Sequence, residues 1–242
     1  MKLYDKSIKN MQDFFEGSAH RDYPYSEGAA WKDNGHSELV MMRDAAFELG
    51  GGSKPSVNCT CVTTDEEMIP ADEIIVYGND LNNINGDCSF ARLVFLSIED
   101  PGEDEEAYNA IKRLEFVRYN VYPEGYMARV SSESNREQVR VSREAVSKGI
   151  SFEKIGCSYI KKYKEVSGVK HVKVIFATEM SDLEPLIKEA KTVDEITGTL
   201  THILDGIPTD CTSCQMKPVC DSVDGLKEMH MRQRKEGGTD HA

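Results

Sequence analysis

The chain has 242 residues, 42 acidic against 29 basic side chains and a formal net charge of −13. An acidic surface of this kind argues against nonspecific nucleic-acid binding, which needs cationic charge to displace counterions. No apolar run reaches the roughly 18 residues that a membrane-crossing helix takes, and MKLYDKSIKNMQDFFEG at the start has no signal-peptide core. The expectation is a cytoplasmic globular protein with neither a nucleic-acid nor a membrane partner.

In chain order, residues 1–44 mix breakers with scattered aromatics, including Trp31, Tyr25, His20 and His36, and read as an irregular N-terminal arm. Trp31 and Tyr25 are expected to wrap against the body; neither histidine has ligand spacing. Short strand-like segments follow: AAFEL (45–49), SVNCTCVTT (56–64), EIIVYG (73–78) and FARLVFLSIE (90–99). Gly50 to Gly52 and the stretch 79–87 mark turns, but no phosphate-binding glycine pattern accompanies them. Residues 103–121 read as a helix, acidic in its first turn and striped by Ala107, Ile111, Leu114 and Val117 or Val121. QVRVS (138–142) alternates like a strand, Ser142 is a plausible cap for a helix, and 151–166 is a further helix. HVKVIFATE (171–179) is the clearest strand, and DLEPLIKEAK and TVDEITGTLTHIL follow as helices. The pattern predicts an α+β (α/β-like) fold, a mixed β-sheet with flanking helices over 45–205, followed by a small cysteine-rich module at 206–242.

The cysteines divide into two groups. Cys59 and Cys61 stand two apart on a strand and share a face. With Cys88 and Cys157, they read as small buried hydrophobes. Cys211, Cys214 and Cys220 are different. Cys-x2-Cys in a turn lets two thiolates converge on one centre, and a third thiolate follows a proline-containing turn. His230 is the candidate fourth ligand, with Asp210 or Asp221 as oxygen alternatives. The spacing suits a four-iron, four-sulfur cluster with an unusual ligand or a closed zinc site.

Charge is uneven. Residues 113–143 hold Arg113, Arg118, Arg129, Arg136, Arg140 and Arg143 against four glutamates, a net of +2. Arginine forks suit phosphates, although a strand and a helix that turn their arginines outward towards surface acids would produce the same pattern. No Gly-x-Ser-x-Gly or His-Glu-x-x-His occurs, so a hydrolase reading has no support.

FEG (15–17), FELGG (47–51), SFEKIG (151–156), VKVIFATE (172–179) and the cysteine run come in a telling order, with RVS (140–142) set eight residues before SFE (151–153). In this the chain resembles the acetyl-CoA synthase catalytic subunit family, the beta subunit of the acetyl-CoA decarbonylase/synthase complex, from about residue 15 to 231. The resemblance implies the family's middle domain plus the opening of its cluster-binding domain. There, four cysteines spaced Cys-x2-Cys-x8-Cys-x9-Cys hold a four-iron cluster bridged to two nickels. Cys211 and Cys214 match the first two; Cys220 matches the third after a three-residue deletion; His230 stands at the fourth position, after the same nine-residue gap. The family's nickel-binding Cys-Gly-Cys does not occur, so nickel and acetyl-CoA synthesis by this chain alone are not expected. The family's middle domain is implicated in coenzyme A binding, which makes coenzyme A or another phosphate ligand a candidate for the arginine window. Three functions follow as expectations. One is an iron–sulfur protein with an electron-transfer or accessory role in one-carbon or corrinoid metabolism. Another is a zinc-clamped module that binds a corrinoid protein or a methyltransferase; a CO dehydrogenase-type subunit is a further partner candidate for the protein. The third is one half of a split synthase.

Overall fold

The computed structural model describes residues 2–102, 104–131, 134–204, 214–223 and 225–237. Its centre is a five-stranded mixed sheet. The strands β1 (His20–Pro24), β3 (Ser56–Thr63), β4 (Glu73–Tyr77), β5 (Phe90–Ile98) and β8 (Val169–Thr178) take the order β1-β4-β8-β5-β3. The β4–β8 and β5–β3 pairs are parallel; β1–β4 and β8–β5 are antiparallel. A second, antiparallel sheet orders β2 (Ala45–Leu49), β7 (Glu137–Ser142) and β6 (Tyr126–Val130) as β2-β7-β6. This is the mixed α+β architecture that the sequence pattern predicts.

Every residue of β3 and β5 is buried, because both faces of the large sheet are covered. On one side lie α1 (Asp5–Phe14) and α5 (Glu184–Leu204), joined by a hydrogen bond of 2.9 Å between Tyr4 Oη and Thr197 Oγ1. On the other side lie α4 (Phe152–Lys164) and β7. Phe152 of α4 stacks on Phe176 of β8 with ring centroids 4.7 Å apart. Gly156 lets α4 settle onto β4: a Cβ there would lie 2.4 Å from Ile74 Cγ1. The helix α2 (Asp104–Val117) touches β3, α4 and α5, burying Ala107, Ile111, Leu114 and Val117 as its stripe predicts. Ser142 caps α3 (Arg143–Ser147) by accepting from Ala145 N, and Ser151 caps α4 by accepting from Lys154 N.

Two expectations need correction. Residues 1–44 are not an irregular arm throughout: they contribute α1 and the edge strand β1. The helix signal was present in the sequence. Tyr4, Ile8, Met11 and Phe15 recur at helical spacing, and all four are buried. β1 carries no such signal; its burial pattern never reaches the core, and backbone pairing with β4 holds it. Trp31 and Tyr25 do pack against the body. The second correction concerns the two helices expected after β8, which form one, α5. Its stripe of Leu186, Ala190, Val193, Ile196, Leu200 and Ile203 runs unbroken through the junction.

Ile8 is fully buried where α1 faces α5 and β3. Ile8→Ala is expected to cost about 2–5 kcal/mol of stability, read as a lowered midpoint in urea unfolding. A change under 0.5 kcal/mol would mean that α1 is not part of the folded unit.

Candidate functional site

The cysteine run ends on two helices docked against α5. Cys214 precedes α6 (Lys217–Ser222), where its carbonyl accepts from Lys217 N at 3.2 Å; Cys220 lies within α6, its N–H donating to Met216 O at 3.1 Å. Pro218 occupies the first turn, where its missing N–H is not needed. Leu226 and Met229 bury one side of α7 (Leu226–Gly237). Cys214, Cys220 and His230 are all half-buried. Cys211 and Asp210 lie outside the described residues. Asp221 pairs with Lys217, which holds its carboxyl below the usual value, so it is already engaged as an acid partner. Two thiols and an imidazole fit iron or zinc chemistry. Among the described residues, no three His, Cys, Asp or Glu side chains converge on one point.

The other thiols behave as buried hydrophobes. Cys59 and Cys61 share a face of β3 with sulfurs 3.6 Å apart. Contact with Cys59, together with burial, pushes the Cys61 thiol well up, so it stays protonated. Cys88 and Cys157 are buried too.

The arginine window divides by environment. Arg140 pairs with Glu48 across β7 and β2. Arg136 Nη2 donates to the carbonyls of Gly50 at 3.0 Å, Gly52 at 2.6 Å and Lys54 at 3.2 Å, bracing the glycine turn. Gly50 and Gly52 both take positive φ there, as only glycine does readily. Arg129 and Arg136 line one open pocket of about 280 Å³ with Gly52, Ser131 and Gln138. Arg113 and Arg143 lie on the surface, and Arg118 is buried. A larger groove of about 650 Å³ runs between the 27–35 loop, the end of α2 and α4. Trp31, Phe116 and Tyr122 line it, and its lysines are paired: Lys32 with Glu124, Lys161 with Glu27 and Lys162 with Glu165.

Sequence reading missed the most unusual group. Arg92 of β5 and Glu137 of β7 form an ion pair that is 1% and 0% exposed, with Nε 3.0 and 2.7 Å from the two carboxylate oxygens. The Arg92 guanidinium lies 4.5 Å over the Tyr159 ring. Burial pulls the guanidinium down, but Glu137 and the surrounding tyrosines hold it above its ordinary value. Burial likewise pushes the Glu137 carboxyl up against the pull of Arg92. The close contact to both oxygens, and a guanidinium that has no neutral form within reach, keep the pair ionised. Tyr126, Tyr159 and Tyr163 surround it, and burial raises all three phenols, keeping them neutral. The one available sequence signal was an arginine inside an otherwise apolar strand.

A five-stranded mixed sheet with a smaller, arginine-bearing sheet against one face defines a two-sheet α+β protein. The model of the CO dehydrogenase/acetyl-CoA synthase complex beta subunit family matches residues 29–183, and the chain belongs to that family. The match takes in the small sheet, every strand of the large sheet except β1, the arginine window and the buried ion pair, and ends at Leu183, ahead of the cysteine run. A comparison with curated proteins finds no match.

Glu137→Gln leaves Arg92 without its counter-ion in a dry interior and is expected to cost about 3–5 kcal/mol in urea unfolding. Replacing both partners together, Arg92→Met with Glu137→Leu, is expected to cost less than Glu137→Gln alone. The opposite order would mean that the pair contributes net attraction.

Proposed function

We propose that the protein is an accessory, cluster-carrying component of a CO dehydrogenase/acetyl-CoA synthase-type system and serves one-carbon metabolism. The family match over residues 29–183 carries this reading. Residues 206–242 act as the metal module on the α+β body. Cys211, Cys214 and Cys220, with His230 as the fourth ligand, hold a four-iron, four-sulfur cluster. Half-burial of Cys214, Cys220 and His230 supports this, because it leaves a cluster near enough to solvent for a partner to approach. When bound, such a cluster passes single electrons at a potential set by its ligands and burial. The chain's own part is to keep these donors beside α5 through Leu226 and Met229. The partner is a CO dehydrogenase-type subunit, with a corrinoid protein or methyltransferase as alternatives. The pocket of Arg129 and Arg136 takes a phosphate of coenzyme A or a related ligand, supported by two guanidinium groups lining one opening.

A second reading is a structural zinc at the same residues. The docking of two short helices on α5 favours it, since a metal clamp contributes directly to the folding of such a segment.

Protein purified without oxygen is expected to contain about four irons and four sulfides with a visible band, lost in Cys211→Ala. One zinc and no band would replace the cluster with the clamp; nickel would overturn the accessory role in favour of a synthase half. For the phosphate pocket, the double variant Arg129→Ala, Arg136→Ala is expected to weaken coenzyme A binding at least tenfold by calorimetry. Unchanged affinity would remove coenzyme A from this pocket.

A further inference from the structure

β6 is an outer strand of the small sheet, and its hydrogen bonds fix which backbone groups face outward. Ser131 N donates to Arg136 O and Ser142 N donates to Gly125 O, both at 2.8 Å. Antiparallel pairing alternates between bonded and non-bonded pairs. Met127 and Arg129 therefore also turn their backbone groups towards β7, while Tyr126, Ala128 and Val130 turn theirs away. Tyr126 N agrees with this parity, since it donates back to Pro123 O at 2.9 Å. The carbonyl of Tyr126, and the N–H and carbonyl of both Ala128 and Val130, have no partner among the described residues. Ala128 is part exposed although it stands opposite the fully buried Val139, on the inner face of the sheet. A cavity of about 60 Å³ leaves space beside Ala128 and Val130.

One end of this edge is closed. Glu124 N donates to Lys32 O and Asn34 N to Tyr122 O, so residues 32–34 already pair with 122–124. An incoming strand can overlap β6 only over 126–130. That disfavours a second copy of this chain. Antiparallel pairing of two β6 strands about Ala128 would drive the second copy's chain, past Ser131, into the place that Lys32 and Asp33 hold.

The outer face selects the occupant. Burial alternates along β7 from Glu137 to Ser142, which puts Gln138 and Arg140 on the outer face, with Arg129 opposite Gln138. Arg140 is met by Glu48. Arg129 is exposed and makes no ion pair or side-chain hydrogen bond among the described residues. Arg136, also exposed, donates to carbonyls and to no carboxylate. Glu133, between β6 and β7, lies outside the described residues. The net negative charge of the rest of the protein is screened beyond about 8 Å at physiological salt, so these two guanidinium groups decide the local field.

We propose that β6 docks an extended acidic segment of a partner protein as a fourth strand of the small sheet. The backbone groups of Ala128 and Val130 supply the hydrogen bonds, and Arg129 and Arg136 take the carboxylates of the segment. The proposal goes beyond the cluster and phosphate readings and rests on neither. Arg129 also lines the phosphate pocket, so coenzyme A is kept out of the binding assay and its own affinity is measured separately.

The test is fluorescence anisotropy of a labelled heptapeptide of alternating glutamate and valine, titrated with the full chain. A lysine–valine peptide is the control. The acidic peptide is expected to bind with a Kd below about 1 mM, and the lysine peptide at least tenfold more weakly. At saturation, hydrogen exchange slows at least threefold at the amides of Ala128 and Val130, and less at Arg129, which already faces β7. Arg129→Glu reverses the preference between the two peptides. Ala128→Pro removes an N–H that β7 does not use and abolishes binding, whereas Arg113→Glu on α2 leaves it unchanged. If Ala128→Pro does not fold, Arg129→Glu and the exchange pattern carry the test. Equal affinity for the two peptides, binding without protection of Ala128 and Val130, or no binding at about 1 mM would overturn the proposal.

Discussion

The Arg92–Glu137 ion pair is the constraint on which the two-sheet arrangement depends. Arg92 is on β5, near the middle of the large sheet; Glu137 begins β7, the central strand of the small one. Two charges so far from water are stable only in each other's company, so the small sheet has one position against the large sheet. Around the pair the interior is polar in a directed way. Tyr159 supplies its ring against the guanidinium, Tyr126 and Tyr163 lie near it, and Thr60 reaches the Tyr163 hydroxyl at 3.5 Å.

The opposite face of the large sheet follows other rules. There, α1 and α5 cover β3 through aliphatic and aromatic side chains, with Cys59 and Cys61 as small fillers. The Arg92–Glu137 pair lies on the other face. Both faces supply hydrophobic stabilisation, the α4 face through Phe152 against Phe90 and Phe176, but only that face also carries a polar seam. The family match covers the whole of the polar side and stops before α5, which forms much of the apolar side.

The functional reading has the same two-part character. Family membership rests on the sheets, whereas the metal proposal rests on a cysteine run beyond the matched segment. α5 is the physical link, since it lies against β3 at one point and receives α6 and α7 at others.

Local chemistry in the sequence was enough to place the strands β2 to β5, β7 and β8, the caps at Ser142 and Ser151, and the stripe of α2. Each depends on periodicity or on one side chain meeting its own backbone. The resemblance to the family was legible for a related reason: short motifs keep their order whatever the packing. The helical spacing of Tyr4, Ile8, Met11 and Phe15 was equally local, but the breakers that follow masked it. β1 could not be read, because an edge strand held by backbone pairing asks little of its side chains. β6 escaped because its burial fades along the strand, from Tyr126 and Met127 inside to Arg129 outside. The tertiary structure alone decided what the arginines do. Arg140 meets Glu48, Arg136 braces a turn, Arg118 donates to the Tyr119 hydroxyl and Arg92 finds Glu137, 45 residues away. A guanidinium has the same fork in every setting; which carboxylate, carbonyl or empty space it faces depends on chain segments far apart in sequence, and only folding brings them together.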